Sequence, residues 1–235
     1  MAISSNKGLG FILITNRNIC EAKLVDIISQ VIDGGVETVQ LREKDLSSVE
    51  LYVLASEIRK ITREKGANLV INDRVDIALA VDADGVHLGW QSMDIETVRT
   101  MIGHDKMIGF SAHNLQEAEE AENSGADYVT ISPIFDTAYK DYFVEPLGTE
   151  KIGKIKEEIG IPVIALGGIN ENNVSSVLEN GADGIAVISA ILQSEDPRQS
   201  ATELYKEIKK NQNQPPPITV MIAPTCQMIG QKEGV

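Results

Sequence analysis

Several short runs place charged and hydroxylated side chains at spacings that suit phosphate chemistry. In "QLREK", Gln40, Arg42 and Lys44 alternate, so an extended backbone turns all three to one side. Two cations on one face suit a phosphate or diphosphate; with Glu43 and Asp45 adjacent, a salt-bridged strand end is the plainer alternative. "IND" closes on Asn72 and Asp73. A carboxylate there suits a divalent cation and the amide a ligand, although Asx residues are also common helix N-caps. "GFSAHN" puts Ser111 and His113 on one face. That pair invites a hydrolase reading, but no G-x-S-x-G elbow accompanies it.

Three later stretches add to this set. "SPIFDTAYKDYFVEPLGTEK" (132–151) is the longest irregular segment, and its Thr137, Tyr139 and Lys140 offer two hydroxyls and an ammonium. "LGGI" with Gly167 and Gly168, and "VIS" with Ile188 and Ser189, offer backbone N–H groups to a second anion. "DADGVHLGWQSMD" (82–94) reads as a rim: His87 packs within an apolar run, then Trp90, Gln91 and Ser92 turn polar.

The elements that must position these residues repeat along the chain. Apolar, β-branched runs at 11–15, 38–42, 68–72, 85–89, 107–111, 128–134, 162–166 and 184–189 alternate with amphipathic segments. "DADG", "GADY" and "GADG" recur where a helix hands over to a strand. Eight strands joined by helical crossovers predict a single-domain α/β fold, a (β/α)8 TIM barrel over residues 11–210. A doubly wound open sheet is the runner-up, but no G-x-G-x-x-G follows the first strand. Residues 1–10 form a lead, and 211–235, with three prolines at 215–217 that end any helix, an extension with no clear period. In such a barrel, function sits at the C-terminal ends of the strands, where all the runs above fall.

Composition narrows the partners. The net charge of −14 argues against nucleic acid or an anionic membrane, so an anionic substrate must be met by cations gathered locally. No apolar run is long enough to span a bilayer, and the first residues do not read as a signal peptide. Cys20 and Cys226 lack metal spacing and read as reduced thiols of a cytoplasmic protein. Small phosphorylated molecules are the expected partners, and a homo-oligomer is compatible with the sequence.

Taken in order, these motifs resemble the thiamine phosphate synthase family over residues 10–210. "QLREK" is similar to its Q-x-R-x-K, "IND" to its Asn-Asp, and "SPIFDTAYKD" to its G-P-I-x-x-T-x-T-K-x-D. "DGVHLG", "SAHN", "ALGGI" and "VISAI" match the remaining motifs. The resemblance implies a transferase that joins 4-amino-2-methyl-5-(diphosphooxymethyl)pyrimidine to a thiazole phosphate. Diphosphate leaves with Mg2+ assistance, and a pyrimidine-stabilised cation is captured by the thiazole nitrogen. By the same resemblance Arg42, Lys44, Lys140 and Ser111 are the catalytic set. Gln40 and Asn72 join them around the pyrimidine diphosphate, and Asp73 ligates one Mg2+. Thr137, Tyr139, Gly168, Ile188 and Ser189 hold the thiazole phosphate.

This chain departs from the pattern at four places. Ser92 stands where the family has a second metal carboxylate, Trp90 where it has Gln, Tyr139 where it has Thr, and Ser132 where it has Gly. A hydroxyl is a weaker Mg2+ ligand than a carboxylate, so metal affinity is expected to fall; Gln91 and Asp94 are the nearest substitutes. The departures raise two rivals. One is the sister thiazole tautomerase, with His113 as acid and base. The other is a ligand-binding barrel without turnover.

Overall fold

All eight apolar runs form strands in the computed structural model, which describes residues 8–137 and 145–212. The strands are β1 (Phe11–Ile14), β2 (Thr38–Leu41), β3 (Asn68–Asn72), β4 (Gly85–Leu88), β5 (Met107–Ala112), β6 (Tyr128–Ile131), β7 (Val163–Leu166) and β8 (Gly184–Val187). They close in sequence order into a parallel barrel, β8 pairing back onto β1. The fold is a (β/α)8 TIM barrel. No helix among the described residues is long and apolar enough to cross a membrane.

Alternation along each strand builds two cores. Outward residues such as Leu13, Val39, Ile71, Val86 and Val129 pack against the helices in the main core. Inward residues fill the lumen, and there the barrel is divided. Ile12, Ile14, Ile164 and Ala186 make the β7–β8–β1 side apolar. Buried Thr38, Gln40, His87 and Thr130 make the β2–β6 side polar. Buried polar groups are costly unless paired, so the second sector must satisfy itself or be satisfied by a ligand.

The repeated acid before a strand has a structural purpose. Glu37, Asp84, Asp127 and Asp183 each directly precede an even-numbered strand. Their carboxylates accept from the N–H groups of Gly10 (3.1 Å), Leu69 (2.7 Å), Ile108 (2.7 Å) and Val163 (2.8 Å), at the start of the preceding odd strand. Each also meets a cation: Lys209 of α9 (Pro197–Gln212) at 3.5 Å, Arg59 of α2 (Ser48–Lys65) at 2.6 Å, Arg99 of α4 (Ile95–Ile102) at 2.5 Å and Lys156 of α6 (Glu150–Glu158) at 2.7 Å. These clasps close the end of the barrel away from the polar rim.

Six strands are shorter than their apolar runs, and two of these stops have a visible cause. β2 stops at Leu41 because the Arg42 N–H turns to Thr15 Oγ1 at 2.9 Å. β6 stops at Ile131, just before Pro133, which has no N–H to give a ladder. Helix α9 runs to Gln212, beyond the expected end at 210, and the extension 213–235 lies outside the described residues.

Candidate active site

The C-terminal ends of β2 to β5 bring Gln40, Arg42, Lys44, Asn72, Asp73, Ser92 and Ser111 to one side of the mouth. A cavity of about 250 Å³ between the β2 and β3 ends has Lys44, Asn72, Asp73 and Arg74 in its walls.

The acids beside the two cations are taken up elsewhere. Arg17, in the loop after β1, reaches the β2 loop and grips both of them. Its backbone N–H donates to both Glu43 carboxylate oxygens at 3.1 Å, and its guanidinium meets Glu43 at 3.2 Å. The same guanidinium forks onto Asp45 at 2.5 and 2.7 Å. That fork holds the Asp45 carboxyl below the usual carboxylate range and raises the Arg17 pKa in turn. Glu43 is buried by this clamp. The expected alternative, a strand end salt-bridged within itself, is therefore not what forms. No ion pair joins Arg42 or Lys44 to a described residue.

Asp73 is held by its neighbours in an uncommon backbone conformation, φ +60°. Its Oδ2 accepts from Asn72 Nδ2 at 2.7 Å, and its Oδ1 accepts from Ser92 Oγ. Ser92 Oγ in turn accepts from the Gly89 N–H at 2.8 Å, closing the turn that lifts Trp90 to 77% exposure. Asn72 Oδ1 receives Gln40 Nε2 at 2.9 Å, while the buried Gln40 Oε1 has no partner among the described residues. The chain Gln40–Asn72–Asp73–Ser92 thus ends inside the barrel on an acceptor awaiting a donor.

Neither Asn72 nor Asp73 caps the following helix. α3 (Val75–Ala80) starts from Arg74, with no side-chain cap. Among the described residues no cluster of three or more His, Cys, Asp or Glu groups could hold a metal. A single carboxylate with free lone pairs suits Mg2+ only as a partial site, completed by phosphate oxygens and water. Asp94 does not replace the missing carboxylate, because its side chain accepts the Thr97 N–H at 2.8 Å as the N-cap of α4.

The histidine beside Ser111 is His87, not the nearby His113. His87 Nε2 lies 2.9 Å from Ser111 Oγ, and His87 Nδ1 lies 3.1 Å from the Tyr128 hydroxyl. Burial, with a smaller contribution from the Arg42 charge, lowers the His87 pKa to about 3, so the ring is neutral. Burial also pushes the Tyr128 phenol up, and it stays protonated. His113 instead pairs with Glu117, one turn along at the start of α5 (Leu115–Asn123), at 3.0 Å.

Across the mouth, Gly167 and Gly168 follow β7 with φ +104° and +67°. A Cβ on Gly168 would stand 2.7 Å from the Asp136 carbonyl oxygen, so only glycine lets the loops meet this closely. Ile188 opens the short helix α8 (Ser189–Leu192), and the N–H groups of Gly168, Ser189 and Ala190 donate to no described residue. Thr137 stands half-buried at the edge of the described loop, whereas Tyr139 and Lys140 lie outside the described residues. The sequence did not single out Arg17, Gly109, Tyr128 or Thr130; an inward tyrosine beside a strand glycine was the available signal.

The family model described as thiamine monophosphate synthase matches residues 11–191. A thiamine-phosphate synthase of Clostridium novyi (strain NT) is 48% identical over 185 residues, 78% of this chain and 91% of that one. One from Methanobrevibacter smithii is 40% identical over 205 residues, 87% of this chain and 98% of its own. Among solved structures, a thiamine phosphate pyrophosphorylase from Pyrococcus furiosus superposes with a TM-score of 0.81 at 40% identity, covering 87% of this chain and 98% of that one. The barrel, the order of its rim residues and these relatives agree: the chain belongs to the thiamine monophosphate synthase family.

Proposed function

We propose that this barrel transfers the pyrimidinylmethyl group of 4-amino-2-methyl-5-(diphosphooxymethyl)pyrimidine to the nitrogen of a thiazole phosphate. The products are thiamine phosphate and diphosphate. The observation that carries the reading is the pair Arg42 and Lys44, left without acidic partners among the described residues because Arg17 occupies Glu43 and Asp45. They are preplaced cations at the mouth of a polar half-lumen, against a net charge of −14.

The C–O bond to diphosphate breaks with its electron pair leaving on oxygen. The methylene carbon is left cationic and is stabilised by the aminopyrimidine. The thiazole nitrogen lone pair then forms the C–N bond. No proton needs to move, which is compatible with a neutral, buried His87. Arg42 and Lys44, joined by Lys140, counter the charge growing on the leaving group, where placed cations act most strongly. Gln40 Oε1, the buried acceptor without a partner among the described residues, takes an N–H of the pyrimidine, with Asn72 and Ser111 beside it. Gly168, Ile188 and Ser189 offer N–H groups to the thiazole phosphate, with Thr137 at its edge and Tyr139 joining them by the family resemblance alone. One Mg2+, held by Asp73 and the diphosphate itself, would supply further charge neutralisation. A cytoplasmic location belongs to the same reading. His113, tied to Glu117, gives the tautomerase alternative no support.

The test is product formation from both substrates, with and without EDTA, in wild type and in Arg42→Ala and Lys140→Ala. We expect thiamine phosphate only with Mg2+. The variants should raise the KM for the pyrimidine diphosphate far more than that for the thiazole phosphate. No product at saturating Mg2+ with both substrates bound overturns the assignment, and equal losses for both substrates overturn the two-site map.

A further inference from the structure

Beneath the mouth, four residues of three adjacent strands form a polar stack of which the transfer reading uses only Ser111. In the barrel register His87 of β4 lies beside Gly109 of β5, which lies beside Tyr128 of β6. One step higher, Ser111 lies beside Thr130. The Tyr128 side chain crosses over Gly109 to reach His87. A Cβ on Gly109 would stand 2.5 Å from both His87 Nδ1 and the Tyr128 oxygen. The glycine is therefore the gap through which the two side chains meet.

We propose that Tyr128 and His87 are positioning residues that fix Ser111 as a hydrogen-bond donor facing the mouth. The inference rests on the reading above, in which Ser111 touches the pyrimidine substrate. The direction follows from counting protons. Tyr128 is fully buried, and its hydroxyl has one side-chain partner among the described residues, His87 Nδ1 at 3.1 Å. If Nδ1 carried the ring proton, the phenol would have to accept, and its own proton would be buried without an acceptor. A buried donor left unmet is costly, so the phenol donates and the ring proton sits on Nε2. Nε2–H then donates to Ser111 Oγ at 2.9 Å, and Thr130 Oγ1 donates to the same oxygen at 3.4 Å. Both acceptor positions of Ser111 are occupied from below. Its proton is the valence that remains, and Ser111 is only half-buried. The ligand atom it meets is therefore an acceptor, a ring nitrogen or a phosphoryl oxygen, and not an amine.

The tautomer is measured directly, without turnover, by nitrogen-15 NMR of the imidazole in the ligand-free protein. The Nε2–H form is expected for His87, and the Nδ1–H form overturns the proposal whether or not the transferase reading stands. In Tyr128→Phe, which removes one oxygen, Nδ1 loses its donor and the Nε2–H preference should weaken. The KM for the pyrimidine diphosphate should rise about three- to tenfold, the value of one hydrogen bond, with the KM for the thiazole phosphate unchanged. Ser111→Ala should raise the same KM, and adding Tyr128→Phe to it should add little, while Ser111→Thr keeps the hydroxyl and should restore most of the loss. Independent, multiplying losses in the double variant, or a tautomer unmoved by Tyr128→Phe, overturn the relay.

Discussion

The buried, neutral His87 makes a defined contribution to acid stability. In the folded chain its pKa is lowered to about 3, whereas in the unfolded chain it returns to about 6.5. Between those values the unfolded state binds more protons, so stability is present above pH 6.5 and lost as pH falls toward 3. Each pH step of one within that window is worth about 1.4 kcal/mol, so taking the protein from pH 7 to 4.5 should remove about 2–3 kcal/mol through this side chain. Carboxylates also titrate on the way down, and a variant separates their contribution from that of the ring. His87→Gln should be less stable at pH 7, because it disrupts the contacts to Tyr128 and Ser111. It should then lose about 2–3 kcal/mol less than wild type between pH 7 and 4.5. Urea unfolding of both proteins at the two pH values reads this directly. If wild type and variant lose the same stability, or if NMR finds His87 titrating near 6.5, burial does not hold the ring neutral.

Three further outcomes follow from the rim and the lumen. Arg17→Ala should free Glu43 and Asp45 to pair with Arg42 and Lys44; the KM for the pyrimidine diphosphate should rise by roughly fivefold or more while the thiazole phosphate KM holds, in steady-state kinetics. Ser92→Asp should add a second carboxylate beside Asp73 and lower the Mg2+ needed for half-maximal rate by about tenfold, as a metal titration would read. Gly109→Ala should force its Cβ against His87 and Tyr128 and cost at least about 2 kcal/mol in urea unfolding; unchanged stability would mean the gap is not needed.

The strands were legible because each is a short β-branched run between turn signals, and the strand-end rule then pointed to the face where the candidate residues gather. Arg42, Asn72, Asp73 and Ser111 could be chosen in this way because a period of two and a boundary are local properties. What pairs with what was not local. His113 stands two residues from Ser111 in sequence, but β5 ends at Ala112 and His113 passes into the start of α5. The partner that Ser111 takes, His87, comes from the next strand, 24 residues earlier. The Arg17 clamp likewise spans 26 residues to Glu43. Arginine beside asparagines after β1 has no pattern that announces such a reach. The division of the lumen into polar and apolar sectors needed the register of all eight strands, which no single segment carries.

The clasps of Glu37, Asp84, Asp127 and Asp183 bear on how this chain can be taken apart. Each joins an odd strand to the even strand after it, so these side-chain bonds group the strands into β1–β2, β3–β4, β5–β6 and β7–β8 modules, while backbone bonds from Asn68 N–H to Glu37 and from Met107 N–H to Asp84 run on from one module to the next. A chain divided between β4 and β5 keeps all of these carboxylate-to-strand bonds within one fragment or the other; a chain divided between β3 and β4 severs the one made by Asp84. Reassembly from fragments, circular permutation and the exchange of modules with relatives should all tolerate the first kind of boundary better than the second. The acid before each even strand thus marks, in the sequence itself, which two strands a division of the chain should keep together.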